Sequence, residues 1–281
     1  MVNFHSQPTT HINHVALKVK DLEKSIEFYK DILGFKVLKS IENTVELTAD
    51  GEQPLLTLIY SESYELKPKR TTGLYHFALL LPERKDLANF LLHIANKKYP
   101  IGAADHHVSE AIYLEDPEGN GIEIYSDRPS SQWTIENKYV KMSTDPLNTE
   151  DLLKEADETW KGLPSNTVMG HIHLHVNDLN KSTDFYVKGL GFDIVLPYYN
   201  AVFLSNNGYH HHIAINTWNG SSASAPPSNS TGLAYYDITY GSQELLDRQL
   251  ANLENMGYKV TKKDYSYITS DPAGITIILS V

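Results

Sequence analysis

The chain has 281 residues, 41% hydrophobic and 21% charged, with a formal net charge of −11, thirteen histidines and no cysteine. That length suffices for two ordinary domains with a sizeable core, in the composition range of a soluble globular protein. The acidic balance excludes nucleic acid and anionic membrane surfaces as partners; the missing thiols exclude disulfides and thiolate ligands and suit a cytoplasmic protein. No apolar run reaches the roughly 18 residues that cross a bilayer. The opening MVNFHSQPTTHINH lacks the basic and apolar regions of a signal peptide.

The first element is a short alternating strand, HVALKV, from His14. Asp21 then stands where a helix N-cap belongs, ahead of Leu22, Ile26, Tyr29 and Leu33 at helical spacing. Gly34 follows as the residue that ends the helix. The stretch TVELTADGEQPLLTLIYS reads as strands joined by a glycine turn. One unit is therefore β-α-β-β-β.

This unit recurs. Residues 171–194, HIHLHVNDLNKSTDFYVKGLGFDI, match residues 14–37 without a gap, and half of the positions are identical. A weaker pair covers 72–126 and 231–281; both members open on Thr-Gly-Leu and close on an Asp-Pro turn and a strand. The last strands differ in one respect. In EDPEGNGIEIY the strand carries Glu123, and in SDPAGITIILS the matching residue is Ile278. Four units predict an α+β fold with two domains, each a curved mixed sheet with helices outside. The expected boundaries are 1–127 and 168–281. The connector, 128–167, is expected to pack on the surface with Trp133 and Trp160 as anchors and a short helix over 149–157. Residues 220–232, GSSASAPPSNSTG, read as a flexible loop.

Four such units, with HVALKVKDL…FYKDILGF and IYLEDPEGNGIEIY, resemble the vicinal oxygen chelate superfamily over nearly the whole chain. Within it the layout is similar to type I extradiol dioxygenases, in the bacillar catechol-2,3-dioxygenase-like branch. In this superfamily each domain curls eight strands into a cup, with metal ligands on the first and last strands of the units. The resemblance places those ligands at His14, His76 and Glu123, the two-histidine, one-carboxylate set of non-haem Fe(II) oxygenases. It implies that the first domain works and the second has lost its site, because Tyr235 and Ile278 replace His76 and Glu123 there while His171 keeps the His14 position. Tyr113 falls where extradiol enzymes place an active-site tyrosine. His106 falls near their histidine beside the reacting groups, with His107 as the alternative.

The resemblance implies opening of a catechol next to its diol by O₂, on Fe(II), with Mn(II) or another divalent cation as the alternative. His106 would move the proton and Tyr113 would donate a hydrogen bond. The partners implied are a small aromatic diol and O₂, with no nucleic acid and no membrane; a homo-oligomer stays open. Two other readings stand beside it: a divalent-metal glyoxalase, lyase or isomerase, and a non-catalytic protein that binds an aromatic compound or drug. His210–His212 resemble the paired histidines of extradiol enzymes with C-terminal iron. With His171, His173 and His175 on one face of HIHLHV, they leave open either a second metal site or a polar, hydrogen-bonded core.

Overall fold

The computed structural model describes residues 3–157 and 159–281. Unit one comprises β1 (His11–Val19), α1 (Leu22–Phe28), β2 (Lys36–Ile41), β3 (Thr44–Thr48) and β4 (Leu56–Tyr60). Unit two comprises β5 (Gly73–Leu80), α2 (Arg84–Asn96), β6 (Gly102–Asp105), β7 (Ser109–Glu115) and β8 (Gly121–Asp127). The connector holds β9 (Ile135–Glu136), β10 (Tyr139–Val140) and α3 (Thr149–Leu153). Unit three comprises β11 (Val168–His175), α4 (Leu179–Asp184), β12 (Asp193–Tyr198), β13 (Ala201–Ser205) and β14 (Ile213–Asn216). Unit four comprises β15 (Gly232–Thr239), α5 (Gln243–Asn255), β16 (Thr261–Lys263), β17 (Ser266–Ser270) and β18 (Thr276–Ser280).

The local signals act as expected. The Asp21 side chain accepts from the Lys24 N–H at the start of α1, and Asp178 accepts from Lys181 at the start of α4. Both helices widen into a π-helical turn, Tyr29–Leu33 and Phe185–Gly189. Gly34 then takes φ 87°, and a Cβ there would run into Gly162 of the connector. Among the described residues no helix is long and apolar enough to cross a membrane.

The pairing of units differs from the expectation. One eight-stranded sheet runs β16-β17-β18-β15-β1-β4-β3-β2 and the other β12-β13-β14-β11-β5-β8-β7-β6. Units one and four thus share a sheet, and units two and three share the other. The joins are antiparallel: β1 with β15 and β5 with β11. The boundaries 1–127 and 168–281 therefore separate repeats, not sheets. The physical reason is that every unit presents its first strand as an unpaired edge. Similar units offer similar edges, so the repeat pattern alone cannot decide which two join.

The helices and one face of each sheet share a continuous apolar core that includes Phe77, Ile172, Phe185 and Tyr236. The opposite, concave face of the second sheet mixes polar residues such as His76 and Glu123 with apolar ones such as Leu196 and Phe203. Sequential units are tied by buried hydrogen bonds: the Tyr29 hydroxyl donates to Asp116 at 2.8 Å, and Tyr186 donates to Asp271 at 3.1 Å. Both acids also accept backbone N–H groups of their own turns. This explains why Phe-Tyr and Asp-Pro recur together: each Asp-Pro turn is the partner of the tyrosine one unit earlier.

Two loop expectations are corrected. Residues 220–232 carry no helix or strand before Gly232, but backbone bonds from Thr72 to Ser224 and from Glu65 to Asn229 pin them to the link between units one and two. The connector is more than a surface strap, because Asp105 and Asp145 exchange backbone bonds and bring residues 142–144 over the second sheet. Trp133 packs on Tyr209 and His210, and Trp160 packs on Phe90.

Tyr29→Phe leaves a buried carboxylate oxygen short of one donor. The expected loss is about 1–3 kcal/mol of unfolding free energy, read from the denaturant midpoint, with a similar loss for Tyr186→Phe.

Candidate metal centre

In the second sheet β5 lies between β11 and β8. The register places His171 beside Ala78 on one side and Glu123 beside Ala78 on the other. His76 stands two residues before Ala78 and so faces the same side. The small Ala78 side chain leaves space between the three polar ones. A bulge at Gly170 re-aims β11 just before His171, and a Cβ at Gly170 would collide with the Tyr125 hydroxyl.

The Glu123 Oε2 atom lies 3.1 Å from Nε2 of His76 and 3.1 Å from Nε2 of His171. Donor atoms of all three lie within 4.8 Å of one another. Glu123 is 2% exposed. Its carboxyl is pushed up by burial, but His171 and His76 outweigh burial and hold it well below the usual range. Burial lowers the His171 imidazole to about 4, against a partial rise from Glu123, so the ring is neutral near pH 7. His76 Nε2 is buried and has no hydrogen-bond partner among the described residues, although Glu123 is near. An orphaned imidazole nitrogen, a neutral imidazole and a carboxylate fit a divalent cation. Ligands about 2.1 Å from an ion and at right angles stand about 3.0 Å apart, close to both measured contacts.

The set opens into a cavity of about 380 Å³. Tyr75, Trp218, Phe203, Leu196 and Met142 form its apolar wall, and His211, His106 and Tyr113 add polar groups. That volume suits a small ligand.

His211 is tied into a chain. His210 Nε2 lies 2.8 Å from Asp127 Oδ1, and His210 Nδ1 lies 2.8 Å from His211 Nδ1. If Asp127 accepts from His210 Nε2–H, His210 Nδ1 must accept from His211 Nδ1–H. The Nε2 lone pair of His211 is then free. Burial, reinforced by His171 and His210, holds the His211 ring well below its usual value and therefore neutral.

His106 Nδ1 lies 2.6 Å from the Ser143 carbonyl, which can only accept. His106 Nε2 is therefore an acceptor for the Tyr113 O–H at 2.6 Å. Burial, then the Glu123 charge, pushes the Tyr113 phenol well up, so it keeps its proton. His107 faces away and meets Asp145 at 2.7 Å on the surface.

The structure thus gathers His76, Glu123, His106 and Tyr113 of the expected set, and it does not bring His14 to them. His14 lies on β1 in the other sheet, with Nε2 2.8 Å from the Thr57 hydroxyl and Nδ1 3.5 Å from Asp237. His171 takes the place expected for His14. The correction follows from the strand pairing: His171 sits on the edge strand that joins unit two. His211 and Asp127 were also missed as site residues. Their signal is the His210–His212 run, which lies in the half where Ile278 stands in place of the acid. His173 and His175 make no second metal group among the described residues; the Asn216 amide engages both.

Residues 11–124 and 168–279 match the family described as the glyoxalase/bleomycin resistance protein/dioxygenase superfamily. The chain belongs to that superfamily. Among its relatives, the catechol-2,3-dioxygenase of Bacillus subtilis (strain 168) is 46% identical over 279 residues, covering 96% of this chain and 98% of the relative. The lactoylglutathione lyase of Escherichia coli O157:H7 is 26% identical over 131 residues, covering 42% of this chain and 94% of the lyase. Among solved structures, glyoxalase I from Zea mays superposes with a TM-score of 0.57 at 17% identity, covering 96% of this chain and 92% of that one. The cppA protein from Streptococcus pneumoniae TIGR4 superposes with 0.55 at 13%, covering 96% and 98%. These two likenesses establish the superfamily fold and carry no reaction with them.

Burial of neutral imidazoles sets a pH dependence. His171 and His212 are lowered to about 4 and about 3, and His173 and His211 also lie well below 6.5, all chiefly through burial. Below pH 6.5 the unfolded chain binds protons that the folded chain refuses, so stability falls as pH drops. Asp271, raised by burial to about 6 from 3.8, opposes this between those values, as do Asp86 and Glu118, also raised by burial; the lowered histidines outnumber them, since burial also lowers His5, His11, His93 and His175. The metal-free protein is expected to show a falling denaturant midpoint from pH 6.5 to pH 4.5, measured at constant ionic strength.

Proposed function

We propose that the chain is an extradiol dioxygenase, which opens a catechol or related aromatic diol next to its hydroxyl groups using O₂. The carrying observation is the full-length relative named catechol-2,3-dioxygenase, at 46% identity. The buried His76–Glu123–His171 set beneath an aromatic-walled cavity supports the same reading. We propose Fe(II) as the metal, with Mn(II) or another divalent cation as the alternative. His76, Glu123 and His171 would hold it. Bound there, it would supply Lewis acidity toward the diol and a redox-active centre beside it.

The chain's own residues do the rest. Tyr75, Phe203 and Trp218 hold an aromatic ring and exclude water. His211 Nε2 accepts a proton from the diol. Asp127, acting through His210, stabilises the charge that develops on the His211 ring and fixes its tautomer. Tyr113 keeps its proton but directs it at His106. A proton arriving on His106 Nε2 would reverse that bond and release the Tyr113 O–H toward the substrate. In this reading His106 and Tyr113 therefore work as a pair.

A divalent-metal lyase or isomerase is the second reading, but the lactoylglutathione lyase aligns with 42% of this chain at 26% identity, against 96% at 46% for the catechol-2,3-dioxygenase. A purely sequestering role leaves the buried set and the Asp127–His210–His211 chain without a purpose.

The test is anaerobic reconstitution with Fe(II), followed by O₂ uptake and appearance of a yellow ring-opened product with a panel of catechols. No uptake with any catechol, at full iron content, contradicts the reading. His171→Gln should abolish turnover, while His14→Gln stays within a few-fold of the parent. His211→Ala should keep its metal and lose about 10²–10⁴-fold in turnover, with a smaller loss for Asp127→Asn. Unchanged turnover in His211→Ala removes it from the proton path.

A further inference from the structure

The concave face of the first sheet has no role in the reaction proposed above, yet it holds polar groups that meet no partner. The His14 Nδ1, Asp237 Oδ1 and Thr239 Oγ1 atoms are buried and lack hydrogen-bond partners among the described residues. They come from facing positions, because His14 pairs with Asp237 across β1 and β15. His14 is 7% exposed, so its ring cannot turn to water for a partner.

The His14 ring is held from its other side. Its Nε2 lies 2.8 Å from the Thr57 hydroxyl on β4. With Nε2–H donated to Thr57, the Nδ1 lone pair points at the Asp237 carboxylate. That arrangement, a ring nitrogen fixed by a neighbour so that the other is free, is the one found behind metal-ligating histidines. Glu46 stands opposite Thr57 in the β3–β4 register and so faces the same cup.

The spacing separates an ion site from an ordinary ion pair. Direct His–Asp bonds in this chain are short: 2.7 Å at His107–Asp145 and 2.8 Å at His210–Asp127. His14 Nδ1 and Asp237 Oδ2 stand 3.5 Å apart. Two ligands about 2.0–2.2 Å from a tetrahedral ion are separated by about 3.3–3.6 Å. The gap is too wide for a direct bond and fits two ligands of one ion.

We propose that the first cup is a second divalent-cation site, of the kind that takes zinc. His14 Nδ1 and Asp237 are its preplaced ligands and Thr57 orients His14; no third His, Asp or Glu donor lies within 4.8 Å of both among the described residues, so water completes the shell. With two preplaced ligands it binds more weakly than the His76–Glu123–His171 set and exchanges its ion more readily. This site does not depend on the reaction assigned to the other sheet.

The test counts ions on the full chain. The protein is stripped with a chelator, dialysed to equilibrium against buffered Zn²⁺, and assayed for metal and protein. The expected ratio is about two ions per chain in the parent, one in Glu123→Gln, one in Asp237→Asn and none in the double variant. In the Glu123→Gln background, Zn²⁺ should raise the thermal midpoint, and adding Asp237→Asn should remove that rise. His14→Gln repeats the count if Asp237→Asn does not fold. A parent ratio of one overturns the second site, as does a ratio of two in folded Asp237→Asn or His14→Gln.

Discussion

The site rests on a buried negative charge that needs neighbours. Glu123 sits on an interior strand with almost no access to water, and an uncompensated carboxylate there would cost several kcal/mol. Its compensation comes from His76 on the next strand and His171 on the strand beyond. Only the antiparallel join of β5 and β11 brings the third residue in. The same join carries β14 and the His210–His212 run to the cavity wall, and the connector closes it from above. The two halves of the chain therefore complete one site, which neither half could form from its own residues.

Duplication explains both cups. Each has a bulge before an inward histidine, at His14 and at His171. In the second sheet that histidine meets an imidazole and a carboxylate. In the first sheet the equivalent neighbours are Tyr235 and Ile278, and the acid has moved to Asp237. The tyrosine–aspartate ties between helix and Asp-Pro turn recur in both pairs of units. The frame is thus kept by hydrogen bonds outside the cups, which leaves the cup residues free to differ.

Much of this was legible in the sequence, for physical reasons. The β-α-β-β-β unit follows from local signals: Asp21 as N-cap, Gly34 at positive φ, apolar spacing along α1, alternation along HVALKV. His76, Glu123, Tyr113 and His106 lie within one unit, so a local alignment is enough to gather them. His14 and His171 were a different matter. They occupy matching positions in matching strands, and choosing between them needs the pairing of distant strands, which no local pattern records. The Asp127–His210–His211 chain was hidden for the same reason, since Asp127 belongs to unit two and both histidines belong to unit three. The Ser143 carbonyl that fixes His106 is a backbone atom in a stretch with no helix or strand, and side-chain identity says nothing about it.

The most direct measurement is an anomalous difference map, recorded at the iron absorption edge from crystals grown anaerobically with Fe(II). The strongest peak is expected within bonding distance of His76 Nε2, Glu123 and His171 Nε2. Strong iron density elsewhere, with none among those three side chains, would contradict a centre built across units two and three.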